Sequence, residues 1–165
     1  MYFFVADEHY FHQSKKNSHK GVIHYCERPV KNLDEMHDLL ITNHNEIVTP
    51  NDTTVHLGDF SFGTKEQTGD VIKKLNGNHI FIRGCHDRWL KKSSPSRYIR
   101  KINNIIFHGE HYPLRSWFAS YHGFSINVHG HCHGRMEPLP RQWDVGVDNN
   151  RFFPSSAEYL INMLL

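Results

Sequence analysis

Seven side chains at five places in this 165-residue chain are of types that bind divalent metal ions, and each place follows a short apolar run. Asp7 and His9 are two residues apart, so in extended backbone they project to one side and can hold one ion through a carboxylate oxygen and an imidazole nitrogen. Asp59 follows Gly58 after a tight turn, and a carboxylate, with two oxygens, is the side chain here suited to bridge two cations. Cys85 opens the Cys85-His86-Asp87 triplet, and His111 closes a fourth run. His131 and His133 stand at i and i+2 between Gly130 and Gly134, where glycine lets backbone approach an ion closely. Histidine is also in excess, 15 of 165 residues, and neutral imidazole is the commonest transition-metal ligand. Chance accounts for a raised count but not for positions at the ends of apolar runs. The chemistry implied is a metal-centred active site.

The elements that must position these groups are legible in the pattern. Tyr2–Ala6, Thr53–Leu57, His79–Arg83, Asn104–Phe107 and Phe124–Val128 are short, β-branched and aromatic, and end in Gly or polar residues, which predicts buried strands; Trp143–Asp148 is a sixth candidate. Asn32 with Glu35, Thr64 with Gln67 and Ser155 with Glu158 are N-cap signatures that predict helices between and after the strands. Alternation of the two predicts an α/β layered fold, in which the ligand crevice lies beyond the carboxyl ends of the strands. Tyr10–Arg28, with His12, Lys15, Lys16, His19, Lys20, His24 and Arg28, reads as a loop beside the site, and Lys91–Arg97 as an exposed connection. The length fits one domain spanning 1–165 without a cap domain. A formal net charge of +2 with no basic block permits nucleic acid but does not indicate it. Three cysteines form no disulfide framework, no run approaches the length of a membrane span, and no secretory leader is apparent, so a cytoplasmic protein is expected.

Taken in order, the blocks D-x-H, G-D, G-x-H-D, H-Y-P and H-G-H-x-H resemble the calcineurin-like metallophosphoesterases. His12, Cys26-Glu27-Arg28-Pro29 and Asp144-Val145-Gly146-Val147-Asp148 are similar to segments of that family's small bacterial and phage members. The resemblance implies a four-layer αββα sandwich with two divalent ions (Mn²⁺, Fe²⁺, Ni²⁺ or Zn²⁺) at the carboxyl ends of the strands. Asp7, His9, Asp59 and His133 would hold one ion, and Asp59, Cys85, His111 and His131 the other. His86 would stabilise the transition state or protonate the leaving oxygen, with Asp87 orienting its ring. Arg28, Arg115 and His12 are the expected phosphate contacts. Two cations about 3.5–4 Å apart lower the pKa of a shared water and neutralise phosphoryl charge, which is phosphoester hydrolysis without a covalent intermediate. The expected partner is a phosphoester, a small molecule or nucleotide rather than a polymer.

The family pattern has Asn where this chain has Cys85. A thiolate ligand there moves the preference from Mn²⁺ or Mg²⁺ toward Zn²⁺ or Fe²⁺ and adds sensitivity to oxidation. A protonated, turned-away thiol would leave the second ion one ligand short. Cys132 and Cys26 read as small fillers, His108 and His129 as core or ligand-supporting histidines, and His56 as core. A binding module that keeps the fold without hydrolysis is the rival reading, and a metal-storage protein is a third.

Overall fold

The structure, a computed structural model, describes residues 1–13 and 21–165; Lys15, Lys16, His19 and Lys20 of the expected Tyr10–Arg28 loop lie outside the described residues. Along the chain run β1 (Tyr2–Val5), α1 (Val22–Tyr25), α2 (Leu33–Ile47), β2 (Thr53–His56), α3 (Lys65–Ile72), β3 (Asn78–Phe81), β4 (Arg97–Ile102), β5 (Ile105–Glu110), β6 (Ser125–His129), β7 (Gln142–Asp144), a 3-10 turn (Val147–Asn149), β8 (Ser155–Ser156) and α4 (Ala157–Leu164). They build two four-stranded sheets, ordered β3-β2-β1-β8 and β4-β5-β6-β7. β1, β2 and β3 are parallel, as are β5, β6 and β7, while β8 and β4 are antiparallel edges.

The side-chain alternation of β1 explains the layering. Phe4 and Ala6 point into a core shared with Val55, Leu57, Ile82, Phe107, Ile126, Val128 and Val145, between the sheets. Val5 points the other way, into a second core with Met36 and Leu40 of α2 and Val71 and Leu75 near α3. A strand buried on both faces must be apolar at successive residues, as Tyr2–Ala6 is. Phe4, fully buried, stacks on Phe107 of the opposite sheet at 4.9 Å. The layered α/β fold expected from the pattern is therefore the architecture found. The outer face of the second sheet is clothed by the 111–124 connection: Asn127 of β6 accepts from the Leu114 N–H at 3.3 Å, and the Ser125 hydroxyl donates to the Phe118 carbonyl at 2.9 Å.

Two caps fall where the signatures place them. Asn32 accepts from the Glu35 N–H, and Thr64 and Gln67 form a reciprocal capping box. The third is one residue late: Ser156 caps α4, because Ser155 is spent in β8, paired with Phe4. The sixth strand is shorter than expected. Beyond Asp144 the chain turns toward β1, where the Ala6 N–H donates to the Val145 carbonyl at 3.2 Å and the Val147 N–H to the Ala6 carbonyl at 3.0 Å. These bonds join the two sheets at the edge where β1, β2, β3, β5, β6 and β7 all present their carboxyl ends. β4 was not foreseen; its Arg97, Ile99, Arg100 and Lys101 are exposed and only Tyr98 and Ile102 are buried, an edge strand marked by charge.

Candidate metal centre

The loops that leave those carboxyl ends are stitched to one another by backbone bonds. The Asp7 N–H donates to the Gly58 carbonyl (3.1 Å), His9 to Asp59 (3.0 Å), and Gly130 to His111 (3.1 Å). Gly58 has φ +94, and a Cβ there would meet the His111 Nδ1 at 2.7 Å and the backbone of Gly84, so only glycine admits this crossing. Asp7, His9, Asp59, His131 and His133 all have φ between 49 and 68. Non-glycine residues in this left-handed region are costly and cluster at functional sites.

The seven expected ligands are brought together. The donor atoms of Asp7, His9 and His133 form one group within 4.8 Å of one another, Cys85, His111 and His131 form a second, and Asp7, Asp59 and His111 form a third that joins them. Asp59 Oδ2 lies 3.4 Å from His111 Nε2 and 3.9 Å from His9 Nε2, and Asp7 Oδ1 lies 3.8 Å from His9 Nε2. Asp7 Oδ1, His9 Nε2 and His111 Nε2 are buried with no hydrogen-bond partner. Each such orphan costs about 1–3 kcal/mol, and here they face a common gap that a cation would satisfy. Three imidazoles have their other nitrogen already engaged: His9 Nδ1 with His12 Nδ1 (2.9 Å), His111 Nδ1 with the Leu57 carbonyl (3.0 Å), and His133 Nδ1 with Asp148 Oδ2 (2.6 Å). The Leu57 carbonyl and the Asp148 carboxylate can only accept, so they fix the tautomer that leaves Nε2 of His111 and His133 as the lone pair, whereas His12 holds His9 as donor or acceptor. The residues fit divalent metal ions.

The charge state agrees. Burial pushes the Asp7 carboxyl up to about 7, against the lowering pull of His111 and His133. Burial alone would lower His111, but the facing Asp59 and Asp7 carboxylates outweigh it and hold it at about 9. His133 is likewise pulled down by burial and carried up to about 10 by Asp148 and Cys26. His9, enclosed and beside Arg28 and His133, lies well below its ordinary value. Protons on Asp7, His111 and His133 occupy the places that a cation takes, so uptake of metal releases protons.

Cys85 Sγ is exposed, 2.8 Å from the Tyr112 hydroxyl and 3.8 Å from His131 Nδ1, so the thiol turns toward the second group of donors. The Cys132 Sγ lies 4.0 Å from the Met136 Sδ. Cys26 lies 3.3 Å from His133 Nδ1, at the site rather than in a filler position.

The expected catalytic and phosphate-binding residues divide. The His86 ring is half exposed over the centre, 3.9 Å from Asp59 Oδ2 and stacked on Phe62 at 4.7 Å, while its backbone N–H donates to Asp59 Oδ1 at 2.8 Å. His12 stacks on the other side of that cluster, 3.9 Å from Phe62, and burial lowers it to about 4. Asp87 does not orient the His86 ring. Its fully buried carboxylate accepts from the N–H groups of Asp59, Phe60, Ser61 and Gly84 and from the Trp89 indole, pinning the β2 and β3 loops together. Arg28 does not face an open site either. It donates to both Asp148 oxygens at 2.8 Å, to the carbonyls of Asp7 and Glu8, and to Met36 Sδ, which engages every N–H of its guanidinium. Buried structural pairing has taken the fork that a phosphate was expected to use. Arg115 is exposed in a neighbouring cleft with Trp117 and Tyr121.

Four further residues serve the site and were not singled out. Asp148 holds His133, Asp144 accepts from the Gly134 and Gly146 N–H groups, Tyr112 meets Cys85, and Phe62 braces His86 and His12. Asp144, Asp148 and Tyr112 lie within the D-V-G-V-D and H-Y-P blocks, so position alone could have flagged them. Glu8, buried, meets His56 Nδ1 at 2.5 Å, and His56 Nε2 meets His79 Nδ1 at 3.0 Å.

No family model matches the chain. A curated relative, an uncharacterized protein of Methanocaldococcus jannaschii, is 28% identical over 171 residues, covering 98% of this chain and 90% of that one. Among solved structures, a protein of unknown function from Aquifex aeolicus aligns over the whole of this chain and 99% of its own, with a TM-score of 0.70 at 21% identity. Vps29 of Chaetomium thermophilum aligns over 89% of this chain and 73% of its own, with a TM-score of 0.51 at 12% identity. The fold is the calcineurin-like metallophosphoesterase sandwich. Among the described residues no helix is long and apolar enough to cross a membrane.

Proposed function

We propose that the chain is a metal-dependent phosphoesterase, acting by preference on phosphodiesters. The observation that carries this reading is the set of buried, unpartnered Asp7, His9 and His111 atoms facing one gap, with exposed His86 beside it. Asp7, His9, Asp59 and His133 would hold one divalent ion and Asp59, Cys85, His111 and His131 a second. Ions so held polarise phosphoryl oxygens and make water nucleophilic near neutral pH.

The chain's own residues do the rest. Asp59 is fixed by the His86 N–H and by its own N–H bond to Asp87, so it keeps a constant position between the two donor groups. His12 tethers His9, and Asp148 tethers His133, which preserves their facing nitrogens. His86 presents a ring nitrogen to solvent and can deliver a proton to the departing oxygen, while stacking on Phe62 limits its swing. The exposed Tyr112 hydroxyl, beside Cys85, would donate to a phosphoryl oxygen.

Metal-loaded protein should hydrolyse bis-p-nitrophenyl phosphate faster than p-nitrophenyl phosphate, and His86→Ala should lower kcat by roughly 10²–10⁴ with metal content unchanged. Equal kcat in His86→Ala would remove His86 from the chemistry. The second reading, a binding module without hydrolysis, rests on Cys85. It requires silence under Mn²⁺, Ni²⁺, Zn²⁺ and Fe²⁺ alike, with activity restored in Cys85→Asn.

A further inference from the structure

The two groups of donors that meet at Asp59 are chemically unlike. Asp7, His9 and His133 offer a carboxylate and two imidazoles, whereas Cys85, His111 and His131 offer a thiol and two imidazoles. Cys26 does not even the balance. It meets His133 at Nδ1 (3.3 Å), the nitrogen already held by Asp148, so Nε2 is the nitrogen that remains for an ion. Of the groups that meet at Asp59, only the second contains sulfur. Soft thiolate selects Zn²⁺ and similar ions, and carboxylate suits Mn²⁺.

The second group is shaped as well as typed. Cys85 Sγ lies 3.8 Å from His131 Nδ1, and Asp59 Oδ2 lies 3.4 Å from His111 Nε2. Zinc bonds of about 2.3 Å to sulfur and about 2.0–2.2 Å to nitrogen or oxygen, at tetrahedral angles, set such pairs about 3.6 and 3.4 Å apart. Tyr112 keeps the sulfur there. Its hydroxyl lies 2.8 Å from Cys85 Sγ and its ring 4.6 Å from that of His131, so one side chain positions two donors from different loops. An exposed thiol without such a partner is free to turn into solvent; this one is tethered on the donor side.

We propose that the centre takes two unlike ions: Zn²⁺ on Cys85, His111, His131 and Asp59, and a harder ion, Mn²⁺, on Asp7, His9, His133 and Asp59, with Tyr112 positioning the sulfur. The inference rests on the ligand set of the phosphoesterase reading but not on hydrolysis. Zinc binds more tightly than manganese at any one site of N, O or S ligands, so excess zinc fills both groups. The ions sort when zinc is limited to one per chain, because only one group holds sulfur.

The probe is Co²⁺, a coloured stand-in for Zn²⁺. Added to metal-free, reduced protein without oxygen, it should raise a near-ultraviolet sulfur-to-cobalt charge-transfer band that is complete at one ion per chain and is erased by one equivalent of Zn²⁺. The band should vanish in Cys85→Asn and persist in Cys26→Ala. In Tyr112→Phe it should move to lower energy, because the sulfur has lost a hydrogen-bond donor. Protein given one equivalent of Zn²⁺ and then Mn²⁺ should show the electron paramagnetic resonance signal of isolated Mn²⁺, one per chain, and the same loading of Cys85→Asn should produce coupled Mn²⁺ pairs. A band that survives Cys85→Asn overturns the proposal. So does cobalt bound without the band, a band unmoved in Tyr112→Phe, or coupled Mn²⁺ pairs in zinc-loaded wild type. None of these readings needs turnover: sorted ions without hydrolysis of any phosphoester uphold the proposal and end the phosphoesterase reading.

Discussion

Asp148 acts on the centre through His133, and that makes it a sharp probe of how the ligands are held. Its carboxylate is itself held by Arg28 through two bonds of 2.8 Å, so the imidazole is steered from two residues away. Removing such a supporting carboxylate costs roughly 10–100-fold in metal affinity. Asp148→Asn should therefore weaken Zn²⁺ binding by that factor in a competition titration with a chelating dye, and unchanged affinity would show that His133 is oriented some other way. Asp87 makes a different claim. Truncating a carboxylate that satisfies five N–H groups leaves several buried donors bare, so Asp87→Ala should lower stability in urea by at least about 3 kcal/mol. A smaller loss would mean the loops hold without it. The ligand types were legible because carboxylates, imidazoles and a thiol recur after apolar runs. Asp87 and Arg28 were misread because spacing does not say whether a charge faces the site or the backbone behind it.

Helix α2 and strands β2 and β3 carry a layer of histidines that no motif announces. His44, His56 and His79 lie within 5.2–6.3 Å of one another, ring centre to ring centre. Burial lowers them to about 4, 3 and 4, and His56 adds to the lowering of both His44 and His79. A group with a lowered folded pKa takes up protons in the unfolded chain first, so the stability it contributes is lost as pH falls from about 6.5 toward 4. Glu8 works in the opposite sense: burial raises it to about 8, so its contribution is lost as pH rises from 4.5 through 8. Asp7, raised to about 7, acts in the same sense as Glu8, and three histidines against two carboxyls make acid the weaker side. The urea midpoint of metal-free protein should drop between pH 6.5 and 4, and His79→Asn should flatten that limb; a parallel limb in the variant would exclude the layer as its cause. His56 could be read only as a core residue, since its partners Glu8 and His79 are 48 and 23 positions away. Strand β4 escaped notice for a related reason: its charges carry the pattern of an edge, not of a core.

Two sheets joined at one edge explain why five distant segments can share a centre, and this was the most legible part of the molecule. Parallel strands buried on both faces write themselves as apolar runs, and their carboxyl ends are where the next polar residue must emerge. What could not be read was the clothing of the second sheet by the 111–124 connection, because an irregular segment has no period. Since the donors come from both sheets, metal should clamp the whole fold: excess Zn²⁺ at 100 times its Kd should add about 2.7 kcal/mol to stability, seen as a rise in Tm, and an unmoved Tm would place the ions elsewhere. The decisive measurement is to add Mn²⁺ or Zn²⁺ stepwise to metal-free protein while following bis-p-nitrophenyl phosphate hydrolysis and bound metal together. Activity should climb to a plateau at two ions per chain and be lost in Asp59→Asn. Two bound ions with no hydrolysis under either metal, or full activity without bound metal, would contradict a dinuclear phosphoesterase.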